Sequence, residues 1–237
     1  MRHGRGRALS QPLDNPVWAA LTTDQADFAV VAGRARRYRP DVSLFFAVEA
    51  IHSGAWDDLA ALAGPGGAPL LVSPDRYDIP TGWTDVLTLE GAQMVAERLV
   101  APPGEAAIRP LTIDDVPAML TLIELARPGP FSAGTVELGG YVGVFDGDDL
   151  VAMAGHRMRF TGWTEVSAVA THPDARRRGL GAFLTHHVAR RIAADGRTPF
   201  LHVAAGNDAA QRVYERLGFV TRRMMTFRVL RPPAPTA

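Results

Sequence analysis

The run Val169-Ala170-Thr171-His172-Pro173-Asp174-Ala175-Arg176-Arg177-Arg178-Gly179-Leu180-Gly181-Ala182 restricts the fold more than any other part of the chain. Its β-branched start reads as a strand, and Pro173 ends it. The apolar stripe Leu180, Phe183, Leu184, Val188 and Ile192 predicts a helix over 178–194. A strand therefore feeds a helix start through a turn that carries three arginines and two glycines. A helix start leaves about four backbone N–H groups without an internal partner, and the helix dipole adds to their pull on an anion. Gly179 and Gly181 bare the backbone, and the arginines add forked donors. Such a turn suits a phosphate or diphosphate. The competing explanation is an arginine-rich surface turn with ordinary turn glycines.

Composition narrows the ligand. All 25 basic residues are arginine, so a Walker lysine and a Schiff-base lysine are excluded. A dinucleotide fingerprint fails because its sixth position is Leu184. The chain has no cysteine, which removes disulfides, thiolate metal sites and a cysteine nucleophile. Twenty-five acidic residues balance the basic ones, so no net charge draws the chain to nucleic acid or an anionic membrane. No apolar run reaches membrane-span length and none follows the basic start, so a cytoplasmic location is expected.

Pro102, Pro103 and Gly104 mark an expected boundary. Residues 1–103 then form an α/β region of unassigned role, with strands at 43–48 and 69–73 and a helix at 56–62. Residues 104–237 carry the clearer pattern. Strands are expected at 108–111, 141–145, 150–159, 165–171, 200–204 and 224–230. Helices are expected at 112–126, 178–194 and 207–217. The fold class is α/β, an α+β sandwich with a mixed, mostly antiparallel sheet flanked by helices. Thr81-Gly82-Trp83-Thr84-Asp85-Val86 is echoed by Thr161-Gly162-Trp163-Thr164-Glu165-Val166. The echo is either a duplication, with a degenerate first half, or a chance match of two turns.

Arg176-x-x-Gly179-x-Gly181, preceded by Val-Ala-Thr-His-Pro, resembles the pyrophosphate motif of the GNAT superfamily of acyl-CoA-dependent N-acyltransferases. Asn207-x-x-Ala210-x-x-x-Tyr214-x-x-x-Gly218-Phe219 is similar to the second half of that family's pattern, and the loop entry is similar to its glycine N-acyltransferase-like branch. The resemblance covers residues 105–230. It implies acetyl-CoA as acyl donor. Val169, Ala170 and Thr171 would hydrogen-bond the pantetheine arm. The amides of Arg177, Arg178, Gly179, Leu180, Gly181 and Ala182 would cradle the diphosphate, with Arg176, Arg177 and Arg178 also near the ribose phosphate. Asn207 would touch the pantetheine side.

A thioester is already activated, so transfer to an amine needs no metal. Direct attack in a ternary complex is expected, with alignment supplying much of the acceleration and a backbone N–H near Val169 polarising the carbonyl. Tyr214 is the candidate acid: it lies two helical turns after Asn207 and can donate to a thiolate. On its own, a tyrosine on an apolar stripe is more often core. Glu165 is the candidate base, since strand alternation puts it on one side with Ser167, Val169 and Thr171. His156 is the second candidate. Glu137 more plainly faces solvent, and His186-His187 point to different helix faces, which speaks against a metal. The expected partners are acyl-CoA and an amine, without nucleic acid or membrane, and a homodimer is one assembly open to the chain. A non-catalytic acyl-CoA-binding regulatory module is the alternative, and an arginine-rich nucleic-acid binder is the weakest reading.

Overall fold

The computed structural model describes residues 12–234. The N-terminal part opens with helix α1 (Pro16–Thr22), whose start is set by Pro16 and by Asn15, which accepts a hydrogen bond from the Trp18 amide. Strands β1 (Ala29–Ala32), β2 (Ala35–Tyr38) and β3 (Phe46–Val48) form a small antiparallel sheet. Helix α2 (Ser53–Ala63) follows, and Gly64 ends it at φ 69°. Next come β4 (Leu70–Ser73) and the long strand β5 (Thr84–Ala96).

The C-terminal part follows the expected order: β6 (Arg109–Pro110), α3 (Val116–Ala126), β7 (Val142–Asp146), β8 (Asp149–Phe160), β9 (Trp163–Thr171), α4 (Leu180–Ala194), β10 (Thr198–Ala204), α5 (Asp208–Arg216) and β11 (Phe219–Arg231). The helix expected from residue 112 is split. Ile113–Asp115 is a 3-10 turn closed by a Thr112–Asp115 capping box, and the α-helix starts at Val116.

One eight-stranded sheet holds the molecule together, in the order β4-β11-β5-β10-β9-β8-β7-β6. Neighbours are antiparallel except β9 and β10. Residue 104 therefore lies between two strands of a single sheet. β5, from before it, is hydrogen-bonded between β10 and β11, from after it. The boundary expected at 103/104 does not separate two sheets. Sequence pattern hid β5 for two reasons. Residues 84–89 are exposed and need no apolar alternation. Gly91 also sits mid-strand, where a Cβ would stand 2.9 Å from the Val203 carbonyl oxygen, so only glycine allows the strands to approach.

The Gly-Trp echo has no counterpart in topology. The second copy lies in the β8–β9 hairpin, whereas β11 intervenes between β4 and β5 around the first.

Helices α4 and α5 cover one face of the sheet. Leu180, Leu184, Val188 and Ile192 of α4 pack with Val166, Met94, Leu201 and Val203. Each such buried side chain contributes about 1.5–3 kcal/mol. Helix α3 covers the opposite face through Met119 and Leu122 against Met153 and Ala170. Helix α1 extends that cover with Val17 and Leu21 beside Phe160, Phe200 and Met225. Along β5, Met94 packs on the α4 face and Val95 on the α1 face, the alternation a strand dictates.

Candidate active site

Strands β9 and β10 are paired only from Trp163 to Glu165 against Thr198 to Phe200. Beyond that point β9 stays with β8 as far as Thr171, while β10 stays with β5 as far as Ala204. The sheet is thus split between residues 166–171 and 201–204. An irregularity in β9 accompanies the split. Met153 opposes Ala170 and Gly155 opposes Ser167, so β9 carries one extra residue over that interval. Ala168 takes φ 52°, a left-handed conformation that a non-glycine residue seldom adopts.

The extra residue reverses which side chains share a face. Val166 packs on the α4 face, and Glu165 points to the α1/α3 face. Past Ala168 the order switches: Val169 packs on the α4 face, while Ala168 and Ala170 pack on the α3 side. Thr171 and Val169 also border the backbone of Gly181 in α4. The expectation that Glu165, Val169 and Thr171 share one side is therefore corrected. Strand alternation holds only without a bulge.

The arginine–glycine loop follows directly. The His172 amide bonds to the Val151 carbonyl at 2.8 Å, and His172 Nδ1 accepts from the Asp174 amide at 3.2 Å. Arg177 (φ 65°) and Gly179 (φ 78°) are both left-handed, on either side of Arg178. Such alternation turns successive N–H groups toward one concave side, a backbone nest for an anion. Gly179 is also the N-cap of α4 and supplies no side-chain cap, so the first-turn amides are left open. Arg176 and Arg177 are exposed. Arg178 is tethered to Asp146 at the end of β7 at 3.1 Å, which holds its charge beside the loop. Leu180 turns inward, and Gly181 and Ala182 are half-buried in the first turn of α4.

Asn207 caps α5: its side-chain oxygen accepts from the Ala210 amide at 3.2 Å. Tyr214 is half-buried on the α4 face, packed with Ala210 and Val213 and 6.3 Å from the Phe219 ring. Burial pushes its phenol up to about 12, so the hydroxyl keeps its proton at neutral pH.

Glu165 is fully buried and salt-bridged. Its Oε2 receives Arg157 Nε at 2.8 Å and its Oε1 receives Arg157 Nη2 at 2.5 Å. His202 Nδ1 stands 2.7 Å from the same Oε1. Burial alone would raise the pKa of this carboxyl; Arg157 and then His202 outweigh that and hold it down to about 2. So weakly basic a carboxylate suits anchoring a cation better than the strong proton uptake expected of a base. His156 is no better placed. It pairs with Val166 and shares its α4 face, away from Glu165. Burial, with Arg159 adding, lowers it to about 4. Glu137 is bound to Arg39 at 2.8 Å, on the surface.

The sequence reading missed Arg157, His202 and Gln93. Gln93 hydrogen-bonds the Leu13 carbonyl, 80 residues away, and His202 meets Glu165 across 37 residues, whereas Arg157 reaches Glu165 across the β8–β9 hairpin, eight residues away. Strand parity alone does pair His202 with Phe200, on the face where Glu165 lies. A cavity of about 290 Å³ at the ends of β3 and β4, lined by Asp14, Glu49, Asp75 and Tyr77, is a separate feature. In the sheet, β11, β5 and β10 lie between β4 and the split.

This architecture can be set beside known proteins. Residues 141–229 match the FR47-like protein family. A GNAT-family protein from Novosphingobium aromaticivorans DSM 12444 is 38% identical, over 96% of this chain and 100% of that one, with a TM-score of 0.86. The chain belongs to the GNAT family of acetyltransferases. A GCN5-related N-acetyltransferase from Kribbella flavida shares the fold, with TM-score 0.61 at 20% identity over 93% of each chain. Among curated relatives, the mycothiol acetyltransferase of Mycolicibacterium gilvum (strain PYR-GCK) is 48% identical over 61 residues. That stretch is 23% of this chain and 20% of the relative. The mycothiol acetyltransferase of Streptomyces scabiei (strain 87.22) is 43% identical over 86 residues, 35% of this chain and 27% of that protein. The match thus spans only a fifth to about a quarter of these curated relatives.

Proposed function

We propose that this protein is an N-acetyltransferase that moves the acetyl group of acetyl-CoA directly onto an amine bound beside it. The observation that carries this reading is the split between β9 and β10, which ends at the open nest of Arg177 to Gly179. Acetyl-CoA brings an activated thioester, and the chain's residues bind and align it. The nest amides, from Arg177 to Ala182, hold the diphosphate, with Arg176 and Arg178 adding charge. The free edge of Val169, Ala170 and Thr171 hydrogen-bonds the pantetheine arm. An amide at the bulge points at the carbonyl oxygen.

The two faces take the two substrates. On the α4 face, Asn207 borders the arm and Tyr214 donates a hydrogen bond to the sulfur as its negative charge develops. The amine binds on the α1/α3 face, where Glu165, closed to solvent, holds Arg157 in place. The amine loses its proton to solvent before attack, because Glu165 is too weakly basic to take it. As the C–N bond forms and the C–S bond breaks, the nitrogen gives up a second proton and the thiolate gains one, so the products are an amide and free CoA. Alignment then supplies much of the acceleration.

The test is acetyl-CoA-dependent thiol release over a panel of small amines, amino acids and peptides, with calorimetric titration of CoA in parallel. CoA binding with thiol release is the expected result. CoA binding with no release from any amine would leave only a binding module, and no CoA binding would remove the reading altogether.

A further inference from the structure

Gln93 of β5 is completely buried beside the site, and its amide orientation is fixed twice. Its Nε2 stands 2.8 Å from the Leu13 carbonyl oxygen, which can only accept. Its Oε1 receives Arg222 Nη1 at 2.9 Å, which can only donate. The remaining contact, Gln93 Nε2 to His202 Nε2 at 3.2 Å, must then run from the amide to the ring. His202 Nε2 is an acceptor, so the ring proton sits on Nδ1 and is donated to Glu165 Oε1 at 2.7 Å. Glu165 receives three donors, two on Oε1 and one on Oε2. A carboxylate has roughly four acceptor positions, so one is left, on Oε2.

The far end of this chain of contacts lies in the N-terminal segment. Asp14 Oδ1 accepts from Arg222 Nη2 at 2.8 Å and from Arg223 Nη1 at 3.0 Å. Leu13 and Asp14 thereby hold both groups that orient Gln93.

We propose that His202 and Gln93 are positioning residues for Glu165: they fix its rotamer and, through its bidentate pair, the Arg157 guanidinium on the acceptor face, and the Leu13–Asp14 segment is a working part of the site. This rests on the acetyl-transfer reading above. It gives residues before 104 a definite task, since the tautomer of a β10 histidine is set by a β5 amide and by a carbonyl at residue 13. It also explains the insertion of β5 beside β10, where Gln93 pairs in register with His202.

Two measurements test it. Long-range 15N–1H correlation of the imidazoles reads the tautomer directly, whether or not the enzyme turns over. Wild-type His202 is expected in the Nδ1–H form, and Gln93→Glu is expected to protonate both ring nitrogens, held between two carboxylates. An Nε2–H ring in the wild type, or an unchanged ring in Gln93→Glu, overturns the proposal even if acetyl transfer is intact. The second measurement is kinetic. His202→Leu is expected to lower kcat about tenfold or more with KM for acetyl-CoA within about twofold, and His202→Asn, which keeps a donor near the Nδ1 position, to restore most of it. Equal kcat for the Leu and Asn variants overturns the positioning role. Should His202→Leu fail to fold, the ring protonation read in the wild type and in Gln93→Glu decides alone. Wild-type inactivity toward every amine, with the Nδ1–H ring present, would sink the reading of the reaction and leave the hydrogen-bond chain standing.

Discussion

Glu165 and Val169 stand four residues apart on one strand and face opposite sides of the sheet. A single inserted residue, left-handed at Ala168, separates them. In the proposed reaction this gives the donor thioester and the acceptor amine a face each, meeting at the split.

Tyr214→Phe should lower kcat about 100-fold, the low end of what a positioned proton donor contributes. The dissociation constant for CoA should stay within about twofold, because the ring keeps its packing against Phe219. Steady-state kinetics with calorimetry separates the two effects. An unchanged kcat would leave Tyr214 as core packing alone.

Gly179→Ala should destabilise the fold by about 1–2 kcal/mol, since a Cβ is disfavoured at φ 78° although nothing lies within 4 Å to clash with it. Gly179→Glu adds a negative charge at the mouth of the nest, and CoA affinity should fall by more than about tenfold. Thermal shift in the presence and absence of CoA reads both. Full affinity in the glutamate variant would move the diphosphate elsewhere.

Glu165→Gln should cost about 3–5 kcal/mol, because the buried Arg157 guanidinium loses its charge partner. The pH dependence follows from the depressed pKa. Glu165 contributes stability fully above its ordinary value of 4.5, and that contribution is lost as pH falls toward about 2. His156 acts in a higher window. Its neutral ring resists the proton that an unfolded histidine takes, so stability drops as pH falls from 6.5 toward about 4. Urea unfolding across pH should lose the lower slope in Glu165→Gln and the upper slope in His156→Gln.

Asn207→Ala removes a helix cap and should cost about 1 kcal/mol. If Asn207 also touches the pantetheine arm, CoA affinity will fall as well, whereas Asn207→Asp will keep the cap. A full-affinity alanine variant limits this residue to capping.

The C-terminal elements were legible because each carries its own local signal. The α4 stripe and the helix over 207–217 depend on residues close in sequence. So does the arginine–glycine loop, where Gly179 adopts a left-handed conformation. What stayed hidden is non-local. β5 lacks alternation because its first half is exposed, and the face of Val169 depends on a bulge that composition does not announce. The Arg157–Glu165–His202 cluster could be anticipated only in part, since strand parity gives the face of each side chain but not its partner.

β5 is synthesised before residue 104, yet its neighbours in the sheet, β10 and β11, come about a hundred residues or more later. Closure of the sheet must therefore wait until nearly the whole chain has left the ribosome, and so large a contact order slows folding. A fragment beginning after the Pro-Gly hinge would carry every recognisable motif and still present two bare strand edges where β5 belongs. Such a fragment should associate with its own kind rather than work as a minimal enzyme.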